Sequence, residues 1–121
     1  MTVPESAVQR VLLARLNAIP GVWLERTNVG AGRGASGRVI RFGRPGMADS
    51  HGSIWGVFAA VEFKSATGRQ SPEQVAYQRL VEQNGGIYVL ARDIAETEAR
   101  VRCLADRLRN IHSVIREALR A

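Results

Sequence analysis

The stretch Trp55–Ser65, W-G-V-F-A-A-V-E-F-K-S, decides how the rest of this chain is arranged. Residues 57–64 are small, β-branched or aromatic until two opposite charges appear at their end, which predicts a buried strand. Because side chains alternate across a strand, Glu62 and Lys64 share one face at a spacing of ~6.6 Å. A carboxylate and an ammonium so placed form either a functional pair or an ordinary ion pair at a strand end.

The use of lysine in this chain favours the functional interpretation of that pair. Of the 17 basic residues, 16 are arginines, and Lys64 is the only lysine. The compact ammonium of lysine and the planar guanidinium of arginine are not interchangeable where a single point charge is needed. The lone lysine therefore indicates a chemical role at this position.

Length and composition bound the kind of protein. A chain of 121 residues predicts a single domain over 1–121, and 45% hydrophobic residues allow it a real core. The order of predicted helices and strands makes this domain α/β, with a core over about 4–92 and a C-terminal helix over 93–120. No apolar run approaches the ~20 residues of a membrane helix, no signal peptide is recognisable, and the single Cys103 excludes a disulfide framework. We therefore expect a cytoplasmic protein with no membrane partner. The net charge of +6 indicates a polyanionic partner, with nucleic acid the first candidate.

Helices and strands are predicted on both sides of the central strand. An amphipathic helix is predicted over Thr2–Leu16, with Thr2 or a neighbour as its cap, and a first strand over Val22–Thr27. A short strand over Met47–Ser50 is predicted to pair antiparallel with the central strand, with a turn at residues 51–53. The sequence S-P-E-Q at 71–74 predicts a capped helix to about residue 83, and a strand follows over Ile87–Ala91. Strand, crossover helix and strand form a βαβ unit, which predicts parallel pairing.

The glycine-rich segment at 30–38, G-A-G-R-G-A-S-G-R, has two interpretations. A dinucleotide-binding loop is excluded because a strand pattern, and no helix, follows it at 39–42, and a P-loop is excluded because no G-K-[ST] is present. The segment is either a plain mobile loop or a hairpin tip that carries Arg33, Arg38 and Arg41 along a phosphate backbone.

Glu5, His51 and the apolar seam of the last helix each have two interpretations. Glu5 is either a surface acid that complements the helix dipole or an acid at the edge of the core. Gln74 completes a capping box, and His51 is either a surface histidine in a turn or a neighbour of Asp49 on one strand face. The apolar seam of the last helix packs on its own domain or on a second subunit. Its members are Val101, Leu104, Leu108, Ile111 and Ile115.

The order of these segments resembles a known nuclease fold. Asp49 precedes Glu62-x-Lys64 by the spacing D-x(12)-E-x-K, which resembles the PD-(D/E)xK nucleases, an α/β class with a central mixed sheet flanked by helices. Within that class the chain is similar to the VRR-NUC family over nearly all of residues 4–92. The matching segments are P-E-S-A-V-Q, R-T-N-V-G, G-R-V-I-R-F-G, G-M-A-D, V-E-F-K-S-A-T-G-R, S-P-E-Q and G-G-I-Y-V-L-A-R. Ala48 stands where the name of the fold has proline.

The resemblance implies a role for each matching residue. It implies that Asp49, Glu62 and the backbone carbonyl of Phe63 hold Mg²⁺ or Mn²⁺, with Glu5 as an outer ligand through water. Lys64 would orient or activate the attacking water. Gln74 matches a glutamine near the active centre, and this role competes with its role as a helix cap.

The family also implies a substrate and an assembly state. The expected activity is a Mg²⁺-dependent endonuclease acting on DNA, structure-specific like Holliday-junction resolvases, in a bacterial or phage-infected cell. The expected protein is a homodimer without an organic cofactor. Expected DNA contacts come from Asn28, Arg33, Arg38, Arg41 and Arg69. The alternatives are a flap or nicking nuclease of the same fold and a non-catalytic basic DNA-binding module.

Overall fold

The computed structural model describes residues 4–27 and 30–120 and shows a mixed α/β fold. A four-stranded mixed sheet is flanked by helices, and two further strands pair with each other in a separate sheet. The elements are α1 (Glu5–Asn17), β1 (Val22–Arg26), β2 (Gly30–Arg33), β3 (Val39–Phe42), β4 (Ser50–Ile54), β5 (Val57–Phe63), α2 (Pro72–Gln83), β6 (Ile87–Ala91) and α3 (Ile94–Arg120).

The main sheet has the strand order β1-β4-β5-β6. β4 pairs antiparallel with both β1 and β5, whereas β5 and β6 run parallel with α2 as their crossover. The predicted βαβ unit is therefore confirmed. The predicted central strand is also confirmed, with its end at Phe63, so that Lys64 directly follows it.

Two apolar cores lie on opposite faces of this sheet. The larger core joins α1 and α3 to the sheet and includes Leu12, Leu16, Ile54, Val61, Val89 and Val101. The smaller core lies under α2 and includes Ala48, Ala60, Tyr77, Val81 and Tyr88. Because strand side chains alternate, Glu62 lies on the α2 face, between two residues that face α1 and α3.

The strand predicted over Met47–Ser50, and the turn predicted at residues 51–53, are wrong. The strand is β4, Ser50–Ile54, and the turn to β5 is made by Trp55 and Gly56. Both turn residues have positive φ, 47° for Trp55 and 84° for Gly56, as a two-residue hairpin requires. His-Gly-Ser suggested a turn by composition, but Gly52 is needed in the strand because its Cα faces the backbone carbonyl of Trp23 in β1.

We expect Gly52→Ala to lower the free energy of unfolding by about 3 kcal/mol, because a Cβ there would overlap the carbonyl oxygen of Trp23 in the neighbouring strand. Urea denaturation measures the loss. Ser53→Ala, one residue further along β4, is the matched control and should change stability by less than about 0.5 kcal/mol. Equal midpoints for the two variants would show that the β1–β4 spacing adjusts freely.

The first helix begins later than predicted. α1 starts at Glu5 with Pro4 at its N-cap and no side-chain hydrogen bond there. Thr2, predicted as a possible cap, lies outside the described residues. The last helix begins one residue after the predicted Asp93, whose Oδ1 accepts a hydrogen bond of 2.8 Å from the backbone N–H of Glu96. Within the described residues, none of the helices is both long and apolar enough to cross a membrane.

The apolar seam of α3 divides into two parts. Val101 is fully buried, and Leu108 packs partly against the larger core. Further along, Ile111 is 49% exposed and Ile115 is 43% exposed. The first part of the seam therefore packs on its own domain, as one of the two interpretations predicted, and the last part is about half exposed.

The glycine-rich segment forms a hairpin. β2 and β3 pair antiparallel, and residues 34–38 connect them, so the tip is shorter than the predicted one at 30–38 because its first four residues form β2. The hairpin leaves the sheet after β1 and returns before Asp49, and the backbone N–H of Thr27 donates to the carbonyl of Asp49 at 2.8 Å. The base of the hairpin is therefore anchored beside Asp49.

Candidate active site

Asp49 and Glu62 lie together at one end of the sheet, where two backbone N–H groups donate to their carboxylates. The backbone N–H of Asp49 donates to Glu62 Oε2 at 3.1 Å. The backbone N–H of Phe63 in turn donates to Asp49 Oδ2 at 2.8 Å. The two strands thus fix both carboxylates beside each other without any flexible linker.

Glu62 is the buried member of the pair. Only 3% of its surface is exposed. Burial and, after it, the negative charge of Asp49 together raise the pKa of Glu62 to about 7, while the Lys64 ammonium opposes both effects. Lys64 Nζ lies 4.0 Å from Glu62 Oε1, and 20% of the lysine side chain is exposed. The ammonium is thus close to the carboxylate and still open to a ligand.

Gln74 caps α2 and contacts Glu62 at the same time. Its Oε1 accepts from the backbone N–H of Ser71 at 2.8 Å, and the Ser71 hydroxyl accepts from the backbone N–H of Gln74 at 3.2 Å. Its Nε2 donates to Glu62 Oε1 at 3.1 Å. The two roles that the sequence left as alternatives are therefore compatible, because they use opposite ends of one amide.

A pair of variants separates these two roles of Gln74. Ser71→Ala should cost about 1 kcal/mol of stability, because it removes one bond of the cap, and should leave any catalytic rate unchanged. Gln74→Ala should cost a similar amount and also lower the rate, because Glu62 loses its side-chain donor. Thermal denaturation and a cleavage assay measure the two effects. Equal rates for the two variants would restrict Gln74 to capping.

Arg92, which was not among the predicted site residues, holds the loop that follows Lys64 through two hydrogen bonds. Its Nη1 donates to the backbone carbonyls of Ser65 at 2.6 Å and Gly68 at 2.7 Å. The backbone N–H of Lys64 donates to the carbonyl of Ala91 at 2.8 Å. The position of Arg92 in the sequence could have indicated this contact. Arg92 directly follows β6 as Lys64 follows β5, and the carboxyl ends of parallel strands lie at the same edge of a sheet.

Glu5 does not lie within the cluster formed by Asp49 and Glu62. It is exposed on the first turn of α1, and its Oε1 accepts from Gln9 Nε2 at 3.5 Å. Across residues 4–27 and 30–120, no third His, Cys, Asp or Glu joins the two acids in a group that could hold a metal. A role for Glu5 as an outer ligand stays a prediction.

His51 lies in β4 rather than in the predicted turn. Its Nδ1 is 2.7 Å from the hydroxyl of Thr27, and its ring stacks on Phe58 with the ring centroids 6.3 Å apart. The β4–β5 register places His51 opposite Ala60, two residues from Glu62. These contacts give His51 a packing role between β1, β4 and β5.

The predicted DNA contacts are placed only in part. Arg38 lies exposed at the hairpin tip, and Arg69 lies exposed in the loop after Lys64. Arg33 and Arg41 belong to β2 and β3, but their side chains lie outside the described structure, and Asn28 lies outside the described residues. The two described arginines place a positive charge at the hairpin tip and another in the loop after Lys64.

The chemistry of this cluster fits a hard divalent cation. Mg²⁺ and Mn²⁺ prefer carboxylate and carbonyl oxygens and retain several waters. Glu62 uses both oxygens as acceptors, whereas Asp49 Oδ1 takes part in no hydrogen bond with the described residues. Comparisons with family models, with curated proteins and with solved structures found no match. The function of the chain is therefore inferred from the chemistry of this site.

Proposed function

We propose that this chain is a metal-dependent endonuclease that hydrolyses phosphodiester bonds in DNA, built on a PD-(D/E)xK core of the VRR-NUC type. The observation that carries the proposal is the interlocked pair of Asp49 and Glu62 with Lys64 Nζ 4.0 Å from Glu62 Oε1. A buried glutamate beside a second acid destabilises a fold unless a cation or a proton compensates it. A catalytic metal site gives a reason for this arrangement.

Each residue of the cluster has a distinct task in this proposal. Asp49, Glu62 and the backbone carbonyl of Phe63 would hold Mg²⁺ or Mn²⁺. Such an ion, when bound, makes a water more acidic and offsets charge on a phosphate. Lys64 orients the attacking water and neutralises the charge that develops on the phosphate oxygens. Gln74 fixes the rotamer of Glu62 through its 3.1 Å hydrogen bond.

The charge and shape of the chain support a branched DNA substrate and a homodimer. The net charge of +6 and the exposed Arg38 and Arg69 suit contact with a phosphate backbone. The unpartnered apolar residues at the end of α3 offer a surface for a second copy: Ile111, Val114, Ile115 and Leu119. A two-fold dimer would present two centres for paired incisions at a four-way junction.

Cleavage of a panel of labelled DNAs tests this function. The panel contains a four-way junction, a flap, a nicked duplex and a linear duplex of related sequence, each assayed with Mg²⁺, with Mn²⁺ and with a chelator. The expected result is metal-dependent, symmetric incision of the junction. Preferred cleavage of flaps or nicked DNA would support the nuclease activity and show that the junction is not its preferred substrate.

Binding of DNA without cleavage is the outcome that would overturn the proposal that this chain is an enzyme. If no DNA in the panel is cut under any metal, while affinity falls steeply with salt, the chain is a basic DNA-binding module. Asp49→Asn serves as the control in that case. A module has no use for the two acids, so this variant should bind DNA at least as tightly as the wild type.

A further inference from the structure

A cavity of about 210 Å³ lies between α1 and the sheet, directly beside Asp49. Its floor is apolar and includes Leu13 of α1 and Phe63 of β5. Its rim is polar and carries Gln9, Arg10 and Arg26. An apolar floor with a few polar groups at the rim is the usual form of a site for a small organic group.

The cavity lies on the other side of Asp49 from Lys64. Phe63 faces α1, whereas Glu62 and Lys64 face α2, because side chains alternate along β5. Asp49 belongs to both sides, since it lines the cavity and its carboxylate accepts from the N–H of Phe63, while its own N–H donates to Glu62. A phosphate at the two acids would therefore have the cavity immediately next to it.

The lining matches a nucleobase better than an isolated phosphate. A base has an apolar face for the floor formed by Leu13 and Phe63 and a polar edge for the amide of Gln9, as in enzymes that take a base out of the stack. Arg10 and Arg26 are exposed, and neither forms an ion pair within the described part of the chain. Their guanidinium groups can hold the phosphates on either side of such a nucleotide.

We propose that this cavity receives the unpaired base of a nucleotide adjacent to the phosphate that is cut. The proposal rests on the nuclease function and gives it a source of structure specificity. Taking a base out of a duplex requires unstacking and unpairing, and a base that is already unpaired at a branch point or in a single strand avoids most of this cost. The enzyme would thus cut where an unpaired base is available.

Abasic substitution tests the proposal. The DNA cut best in the panel is prepared with a single abasic site at each of several positions around the incision. Wild type should lose about tenfold in kcat/KM at one position next to the cut, and little at the others, because only that base enters the cavity. Equal rates for all abasic positions would overturn the proposal.

Two variants assign that effect to the cavity. Leu13→Trp fills the floor and should cut the intact DNA slowly, with no further loss at the abasic position. Gln9→Ala, a milder change at the rim, should fold even where the tryptophan is not tolerated, and should reduce the abasic effect to about a few-fold. An unchanged tenfold effect in both variants would place the base elsewhere.

A fluorescent base separates this proposal from the nuclease function itself. An oligonucleotide carrying 2-aminopurine at the sensitive position, or at successive unpaired positions if no cutting occurs, is titrated with protein in the presence of a chelator. A fluorescence change that Leu13→Trp abolishes, without cleavage under any metal, would keep the cavity and overturn the nuclease. Cleavage without such a change would keep the nuclease and overturn the cavity. The absence of both signals would overturn both the cavity proposal and the nuclease proposal.

Discussion

Lys64→Ala is expected to lower the single-turnover rate of DNA cleavage by a factor of about 10² to 10³ while DNA affinity stays nearly unchanged. The ammonium of Lys64 lies 4.0 Å from Glu62 and is partly open to solvent, so it can contact both the attacking water and the phosphate. Charge on the phosphate oxygens develops only during the reaction, and a group that stabilises this charge acts on the rate rather than on binding. Quenched-flow measurement at saturating enzyme gives this rate directly.

Two further variants make the Lys64 result specific. Lys64→Arg keeps the positive charge but replaces a compact ammonium by a planar guanidinium, so it should remain strongly impaired. Arg69→Ala removes an exposed charge five residues away and should weaken DNA binding and its salt dependence without slowing the saturated rate. If Lys64→Ala cuts at the wild-type rate, the lysine serves only as the ion-pair partner of Glu62.

Glu62→Gln is expected to remove a pH dependence of stability that the wild type shows without metal. Burial and Asp49 raise the pKa of Glu62 from 4.5 to about 7 in the folded protein. The folded protein therefore binds this proton more tightly than the unfolded chain does. The resulting contribution to the free energy of unfolding is fully present below pH 4.5 and is lost as the pH rises through 7. The difference between these values corresponds to about 3 kcal/mol. The neutral glutamine cannot lose a proton, so its stability should lack this decline.

Urea denaturation in chelator, from pH 4.5 to 8, measures the difference in slope between the two proteins. The slope is the diagnostic quantity, because the glutamine amide has one acceptor oxygen for the two donors that Glu62 satisfies. The exposed glutamate Glu82 on α2 gives the matched control, and Glu82→Gln should keep the wild-type slope. Parallel curves for wild type and Glu62→Gln would show that the Glu62 carboxyl is not strained by its burial.

A divalent cation should reverse the order of stability of wild type and Glu62→Gln at pH 8. At pH 8 a saturating divalent cation stabilises a protein by an amount set by its concentration relative to its dissociation constant. Wild type should therefore gain stability with Mn²⁺, and Glu62→Gln should gain little, because it lacks one of the two carboxylates. The same residue thus weakens the metal-free fold and strengthens the metal-bound one.

The parts of the molecule that the sequence predicted correctly depend on local patterns. Alternation along residues 57–64 placed Glu62 and Lys64 on one face, and the S-P-E-Q signature predicted the capping box that the structure contains. The crossover helix between two apolar segments predicted the parallel pair of β5 and β6. These features need only a few neighbouring residues, so propensity and spacing determine them.

The parts that the sequence missed depend on contacts between distant segments. β4 contains Gly52 because the carbonyl of Trp23 lies against it, and no local rule indicates that contact. Gln74 reaches Glu62 across twelve residues of sequence, and Arg92 reaches back to the loop after Lys64. Turn propensity at residues 51–53 therefore gave way to the tertiary packing of the sheet.

The central claim is that Asp49 and Glu62 together hold a divalent cation, and anomalous diffraction from crystals grown with Mn²⁺ tests it most directly. The result we predict is an anomalous peak about 2.2 Å from a carboxylate oxygen of each residue, absent from crystals of Glu62→Gln. A peak on other residues only, or no peak at Mn²⁺ concentrations that support DNA cleavage, would contradict the metal centre proposed for this chain.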